Sequence, residues 1–325
     1  MVITINNLAT ISNVTALIPY IIAHINDAEL IFNFNPIAFA KIIPAAILAR
    51  EIKSVVKYRK EKQLITRALQ ERDSSSLDYL RYISYFKLIG LDSGNDIRTS
   101  CQTTNYIPVT EYSYLHFKNL AESDSFRSVQ DYIEIESDEL SKLFSRKEER
   151  VELISYALKE IIRNVYEHSS ADKVYIMGQY WKNGNVQIAI LDEGVGLLRT
   201  LEKKYPELNN DFDAINIAVQ PGVSGIDFSN NPNDNSGFGL YVISRLAQRL
   251  GSCVICSGRA GILFSQNRNE SFSTNNSGTL VCISFREIPQ NYTSEFQQII
   301  EEGNRIAQQS KYPVSASKRT TSFLR

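Results

Sequence analysis

Short apolar runs alternate with longer stretches of helical spacing through the first hundred residues. Residues 2–5, 30–34 and 64–69 read as strands, and 14–25, 44–60 and 77–89 as helices. Pro44 suits a helical first turn, where its missing N–H costs nothing, and Gly90 stops the third helix. This alternation predicts a small α/β unit over residues 1–98. Further on the rhythm changes. Residues 107–117 are partly strand-like, and helices are expected near 138–144 and 150–168. Runs at 174–180 and 186–191 flank an Asn-Gly turn at 182–185, a strong hairpin signal. A polar, glycine-bearing stretch covers 197–236. From Gly239 a helix begins, with Leu240, Val242, Ile243, Leu246, Ala247 and Leu250 spaced for one buried face. Strands follow at 254–257, 261–264 and 279–285, with a polar loop expected at 266–277. A last helix is expected at 294–309, and the basic, hydroxyl-rich 315–325 reads as a frayed terminus.

Composition narrows the classes. At 325 residues and 43% apolar, the chain can bury a real core and has room for two domains. A formal net charge of −1 does not indicate nucleic acid as a partner. No apolar stretch reaches about 18 residues and the start lacks a basic leader region, so a cytoplasmic chain without a membrane partner is expected. Residues 42–49 read as a buried helix instead. Cys101, Cys253, Cys256 and Cys282 suggest a reducing compartment. Cys253 and Cys256 form a CxxC, but on a strand that spacing sends the side chains to opposite faces. Two packing cysteines are expected, not a metal or redox pair.

Three segments carry candidate chemistry. Glu160 and Asn164 lie four apart in a helix and share one face. A carboxylate there can take a proton from water, and an amide oxygen can ligate Mg²⁺, which needs few protein groups beside phosphates and waters. Such pairs also occur on ordinary solvated helices. Asp192-Glu-Gly194-Val-Gly196 follows an apolar strand. An Asp at a strand end can accept a hydrogen bond from the exocyclic amine of adenine, and the glycines let backbone approach a ligand. A dinucleotide-binding reading fails, because Arg199 stands where a third glycine is needed and the strand belongs to a hairpin. Asn235-Ser236-Gly237-Phe238-Gly239-Leu240 stands directly before a helix, whose free N–H groups and dipole favour phosphate. No Gly-Lys-Ser/Thr is present, so it is not a Walker loop.

In order and spacing these segments, with Gly278-Thr279 opening the last strand, resemble the GHKL ATPase family, also called the Bergerat fold. The resemblance implies an α/β sandwich over residues 99–288, with a mixed sheet on one side and helices on the other. Asn164 would hold Mg²⁺ and Asp192 would read adenine. Gly194, Gly196, Ser236, Gly237, Phe238, Gly239, Leu240 and Thr279 would complete the ATP site, and 197–236 would be its lid. Glu160 falls where gyrase-like members keep the general base. Two departures stand out: the second glycine box has two glycines where many relatives have three, and no lysine can be assigned to the γ-phosphate.

The first half looks like a STAS domain, the fold of anti-anti-sigma factors. In that system a GHKL kinase phosphorylates a serine at a helix start. Here residues 38–46 hold no Ser or Thr, so this half resembles a docking unit and not a kinase substrate. Residues 289–325 would add a helix and a flexible basic tail. His24, His116 and His168 lack the context of a phosphorylated histidine, though His168 shares a helix face with Asn164. The expected activity is Mg²⁺-dependent ATP binding and hydrolysis, switching a homodimer or a protein partner. Alternatives are an anti-sigma-type serine/threonine kinase, and a nucleotide-gated interaction module with little turnover, as in stress signalling or phage defence.

Overall fold

The computed structural model describes residues 1–91, 93–98, 105–145, 148–225, 236–266, 268–286, 292–310, 313–317 and 320. The first elements are β1 (Val2–Thr4), α1 (Ile11–Thr15), α2 (Ile18–Ala23), β2 (Glu29–Asn33), α3 (Ile42–Glu61), β3 (Ile65–Leu69), α4 (Ser75–Tyr82) and α5 (Tyr85–Leu88). Strands β1, β2 and β3 form a parallel sheet in that order. The helix expected over 14–25 is two, because Pro19 can sit only in the first turn of α2. That expected over 77–89 also breaks in two. Ser84 is left-handed at φ 64° and its hydroxyl donates to the Asp96 carbonyl at 2.8 Å.

The second half runs β4 (Tyr106–Ser113), α6 (Tyr114–Ser123), α7 (Val129–Lys142), α8 (Glu148–His168), β5 (Lys173–Tyr180) and β6 (Val186–Asp192). It continues with α9 (Gly196–Leu201), α10 (Asp211–Ala218), α11 (Gly239–Leu250), β7 (Gly251–Ser257), β8 (Ala260–Ser265), β9 (Asn269–Ser273), β10 (Thr279–Phe285) and α12 (Tyr292–Gln308). Helix α7 starts earlier than expected because Ser128 and Asp131 form a capping box. The expected loop at 266–277 contains edge strand β9, whose mostly polar residues hide the strand signal. Its Phe272 packs over Gly261 of β8.

The seven-stranded sheet has order β4-β5-β6-β10-β7-β8-β9. Every neighbouring pair is antiparallel, which corrects the expected mixed sheet. Strands β6 and β7 do point the same way, joined through α9, α10 and α11. Strand β10 returns between them and pairs with both.

Both faces of this sheet are buried. Val281, Ile283, Ile190 and Cys253 face a core shared with α8, α11 and α12. Leu280, Cys282, Leu191 and Cys256 face a second core shared with the three-stranded sheet and α3. Helix α3 lies between the two sheets, and residues 42 to 52 are buried all round it. A helix apolar on every side is what such a position demands. Cys253 and Cys256 therefore do sit on opposite faces, and burial pushes both thiols up to about 12. Cys101 lies outside the described residues. Among the described residues no helix is long and apolar enough to cross a membrane.

Candidate functional site

A cleft opens where α8, α9 and α11 meet the β6 and β10 strands, with about 780 Å³ of empty space that includes the solvent at its mouth. Its floor is apolar: Ile190 and Val281 are cross-strand partners on one face of the sheet. Helix α8 contributes Ile161, Asn164, Val165 and His168 to one wall, and α9 contributes Gly196, Leu197, Thr200 and Leu201. Gly237, Gly239 and Leu240 close the third side, and Asp192 and Thr279 end the floor. Segments more than a hundred residues apart thus converge on one space.

Asp192 ends β6 and is 3% exposed. Its Oδ1 accepts the Gly194 N–H at 2.7 Å, and its carboxylate also accepts the Thr279 N–H. Burial pushes its pKa up to about 6; the two backbone N–H groups and the Arg50 guanidinium pull it down, and Glu193 adds to the rise. The carboxyl therefore titrates close to neutrality. Gly278 explains the tight approach of β10. Its φ is +79°, and a Cβ there would stand 2.3 Å from the Asp192 carbonyl oxygen.

Gly237 has φ +71° and lies against the backbone of Gly222 and Val223. Phe238 is the N-cap of α11, and its side chain makes no capping hydrogen bond. The first N–H groups of this twelve-residue helix therefore begin at the cleft without an acceptor on the N-cap side chain.

Not every expected residue lines the cleft. Glu160 is buried behind Gly239: a Cβ on Gly239 would stand 2.4 Å from Glu160 Oε2. Arg163 pairs with Glu160 at 3.4 Å and with Glu167 at 3.2 Å. Burial disfavours the Arg163 charge, but the two carboxylates raise its pKa on balance. Gly194 packs on the Ser169 carbonyl at the end of α8. Phe238 is fully buried, edge-on to Tyr241 at 6.1 Å, and belongs to the core. Ser236 Oγ accepts the Ser317 N–H at 3.1 Å. Asn235 lies outside the described residues, as does 226–235 of the expected lid.

The described part of that lid departs from a polar loop. It contains α9 and α10, the latter capped by Asn210, and Leu201, Tyr205 and Ala218 form a small cluster there. The tail departs too. Thr320 is 3% exposed, and its N–H donates to Ser317 Oγ at 3.2 Å.

Several lining residues carried no sequence motif. Thr200 Oγ1 donates to the Gly196 carbonyl at 2.8 Å and lies within 3.2 Å of the His168 carbonyl, tying α9 to α8. Ser224 and Gly225 enter from the connection after α10. Burial pushes the His168 pKa below its ordinary value, against the pull of Glu167. No lysine or arginine lines the cleft among the described residues.

Compared with known proteins, the chain matches no protein-family model, and no curated protein matches it.

Proposed function

We propose that this chain binds ATP with Mg²⁺ in the cleft and hydrolyses it as a GHKL-type ATPase, using nucleotide state to switch a partner protein or a second copy of itself. One observation carries the reading. A buried carboxylate, a helix-borne amide and an uncapped helix N-terminus, from separate parts of the chain, border one cleft.

The residues suit the ligand. Asp192 would accept the exocyclic amine of adenine, with Ile190 and Val281 beneath the ring. The N-terminus of α11 would take phosphate oxygens. Asn164 would hold Mg²⁺, which would neutralise phosphate charge and needs no cluster of carboxylates. Hydrolysis joins a water oxygen to the γ-phosphorus, breaks its bond to the bridging oxygen and releases ADP and phosphate. By the resemblance, Glu160 would receive the water's proton.

A second reading is favoured by the surroundings of Glu160. It is paired with Arg163 and outside the cleft lining, and no lysine or arginine lines the cleft among the described residues. Both features favour a nucleotide-gated module with slow turnover.

Nucleotide titrations with and without Mg²⁺, on wild type and Asp192→Ala, test binding. Loss of a hydrogen bond to a buried charge should weaken ATP roughly tenfold to a hundredfold. Unchanged affinity in the variant sinks the reading. Phosphate release by Glu160→Ala separates the two alternatives. A fall marks Glu160 as the base, whereas negligible release in wild type marks a gated module. Transfer of γ-label to protein marks a kinase.

A further inference from the structure

We propose that Arg50, on the N-terminal helix α3, is a positioning residue of the cleft: it holds the turn at Gly278 and Thr279, and through it the Asp192 carboxylate, in the geometry that receives the ligand. The identity of that ligand rests on the nucleotide reading above; the positioning role does not.

Arg50 is fully buried and comes from the other half of the chain. Its Nη2 donates to the carbonyls of Asn276 at 2.9 Å, Gly258 at 3.3 Å and Gly278 at 3.3 Å. Its Nη1 donates to Glu51 Oε1 at 3.0 Å. Glu51 Oε2 in turn accepts the Asn275 N–H at 2.9 Å, and the Asn276 side-chain amide donates to the Arg50 carbonyl. The turn before β10 is thus gripped from both sides by two consecutive residues of α3. A buried carbonyl left without a donor is costly, so this grip defines the turn. The three carbonyls share the two N–H bonds of Nη2 while Nη1 serves Glu51, so the guanidinium fills two donor positions at once; a lysine ammonium, with one nitrogen, cannot occupy both.

The grip continues into the cleft. The carbonyl of Gly278 is held by Arg50, and the next N–H, that of Thr279, donates to Asp192. Further along α3, Lys53 pairs with Glu193 at 3.5 Å, beside Asp192 in the first glycine loop. Helix α3 therefore touches both backbone segments that frame the carboxylate. The charged groups facing Asp192 are Arg50 from α3 and Glu193 from its own loop. Lys53 neutralises Glu193, and His168 of α8 shares the cleft. Arg50 is the cation that favours the ionised carboxylate.

The test uses full-length Arg50→Met and Arg50→Lys, with three readouts: hydrogen exchange at the Thr279 amide in ligand-free protein, thermal unfolding, and the pH profile of Mg²⁺-dependent binding of methylanthraniloyl-labelled ATP. In Arg50→Met the Thr279 amide should exchange at least about tenfold faster while the amides of β6 keep their protection. Probe affinity should fall at least about tenfold, and the pH midpoint of binding should rise, because the cation favouring the ionised carboxylate is gone. Arg50→Lys should lose the Thr279 protection and raise the midpoint by less than Arg50→Met does, because a cation remains beside the carboxylate. A wild-type protein that ignores the probe defeats the nucleotide reading, and Thr279 exchange then decides the role of Arg50 alone. Wild-type exchange at Thr279 in Arg50→Met overturns the proposal; should that variant not fold, Arg50→Lys is read by the same amide. A purely structural arginine would lower the unfolding temperature and leave the pH midpoint in place.

Discussion

Asp192 holds an expensive position. Its carboxyl is buried and its pKa is pushed up to about 6, above the ordinary value for an aspartate. The folded chain therefore takes up a proton at higher pH than the unfolded chain does. The ionised form destabilises the empty protein above about pH 6, and this penalty fades as pH falls toward the unfolded value. A ligand N–H donated to the carboxylate offsets it, so binding and ionisation are linked. ATP affinity should be constant above about pH 7 and fall about tenfold per unit below about pH 6. Asp192→Asn should bind weakly and lack that inflection. Titrations from about pH 5 to about pH 8 check this, and a wild-type profile flat across that range would separate Asp192 from the ligand.

Helix α11 links core packing to the cleft. Its Val242, Ile243 and Leu246 are buried under the sheet while Gly239 and Leu240 reach the cleft. Leu246→Ala should cost about 2–5 kcal/mol of stability and tilt the helix N-terminus away from the ligand. Arg249→Ala removes a partly exposed pair to Glu302 and a hydrogen bond to Gln298, each at 3.5 Å, and should cost under about 1 kcal/mol. Chemical denaturation of both variants measures the contrast; equal losses would mean that α11 is not anchored by its apolar face. This helix was legible because its apolar spacing is regular and Gly239 opens it. The β5–β6 hairpin was legible for a similar reason, with Gly184 at φ 84° where the Asn-Gly pair foretold a turn. Other features were not. Strand β9 alternates too weakly in hydrophobicity, and α7 is announced by the capping box at Ser128, not by periodicity. The candidate site divides the same way. Motif order and its family resemblance brought Asn164, Asp192, Gly237 and Thr279 forward, and all four line the cleft. Thr200 and Ser224 reach the cleft through tertiary packing that no spacing encodes. Phe238 looked like site because it stands between two glycines, yet its ring is core.

At the scale of the molecule, the two rhythms of the sequence suggest two units, but the second core spans both. Ile47 and Leu48 of α3 are buried in the same cluster as Leu191, Cys256 and Leu280 of the large sheet. Removing the N-terminal unit would uncover one whole face of that sheet, an apolar area too large to leave in water. Cooperative unfolding of both halves follows. Ile47→Ala should therefore lower the unfolding temperature of the entire chain, at a cost of about 2–5 kcal/mol. The single tryptophan offers a local probe. Trp181 stands at the hairpin end of the large sheet, its ring 6.1 Å from that of Phe39 in the N-terminal half. Its fluorescence should report the same midpoint as far-ultraviolet circular dichroism in wild type and in Ile47→Ala alike. Mg²⁺ and ATP should raise both midpoints together, since a ligand that binds only the folded state stabilises whatever unfolds with its site. Two separated transitions, with Ile47→Ala moving only one and nucleotide only the other, would mean that the halves fold independently.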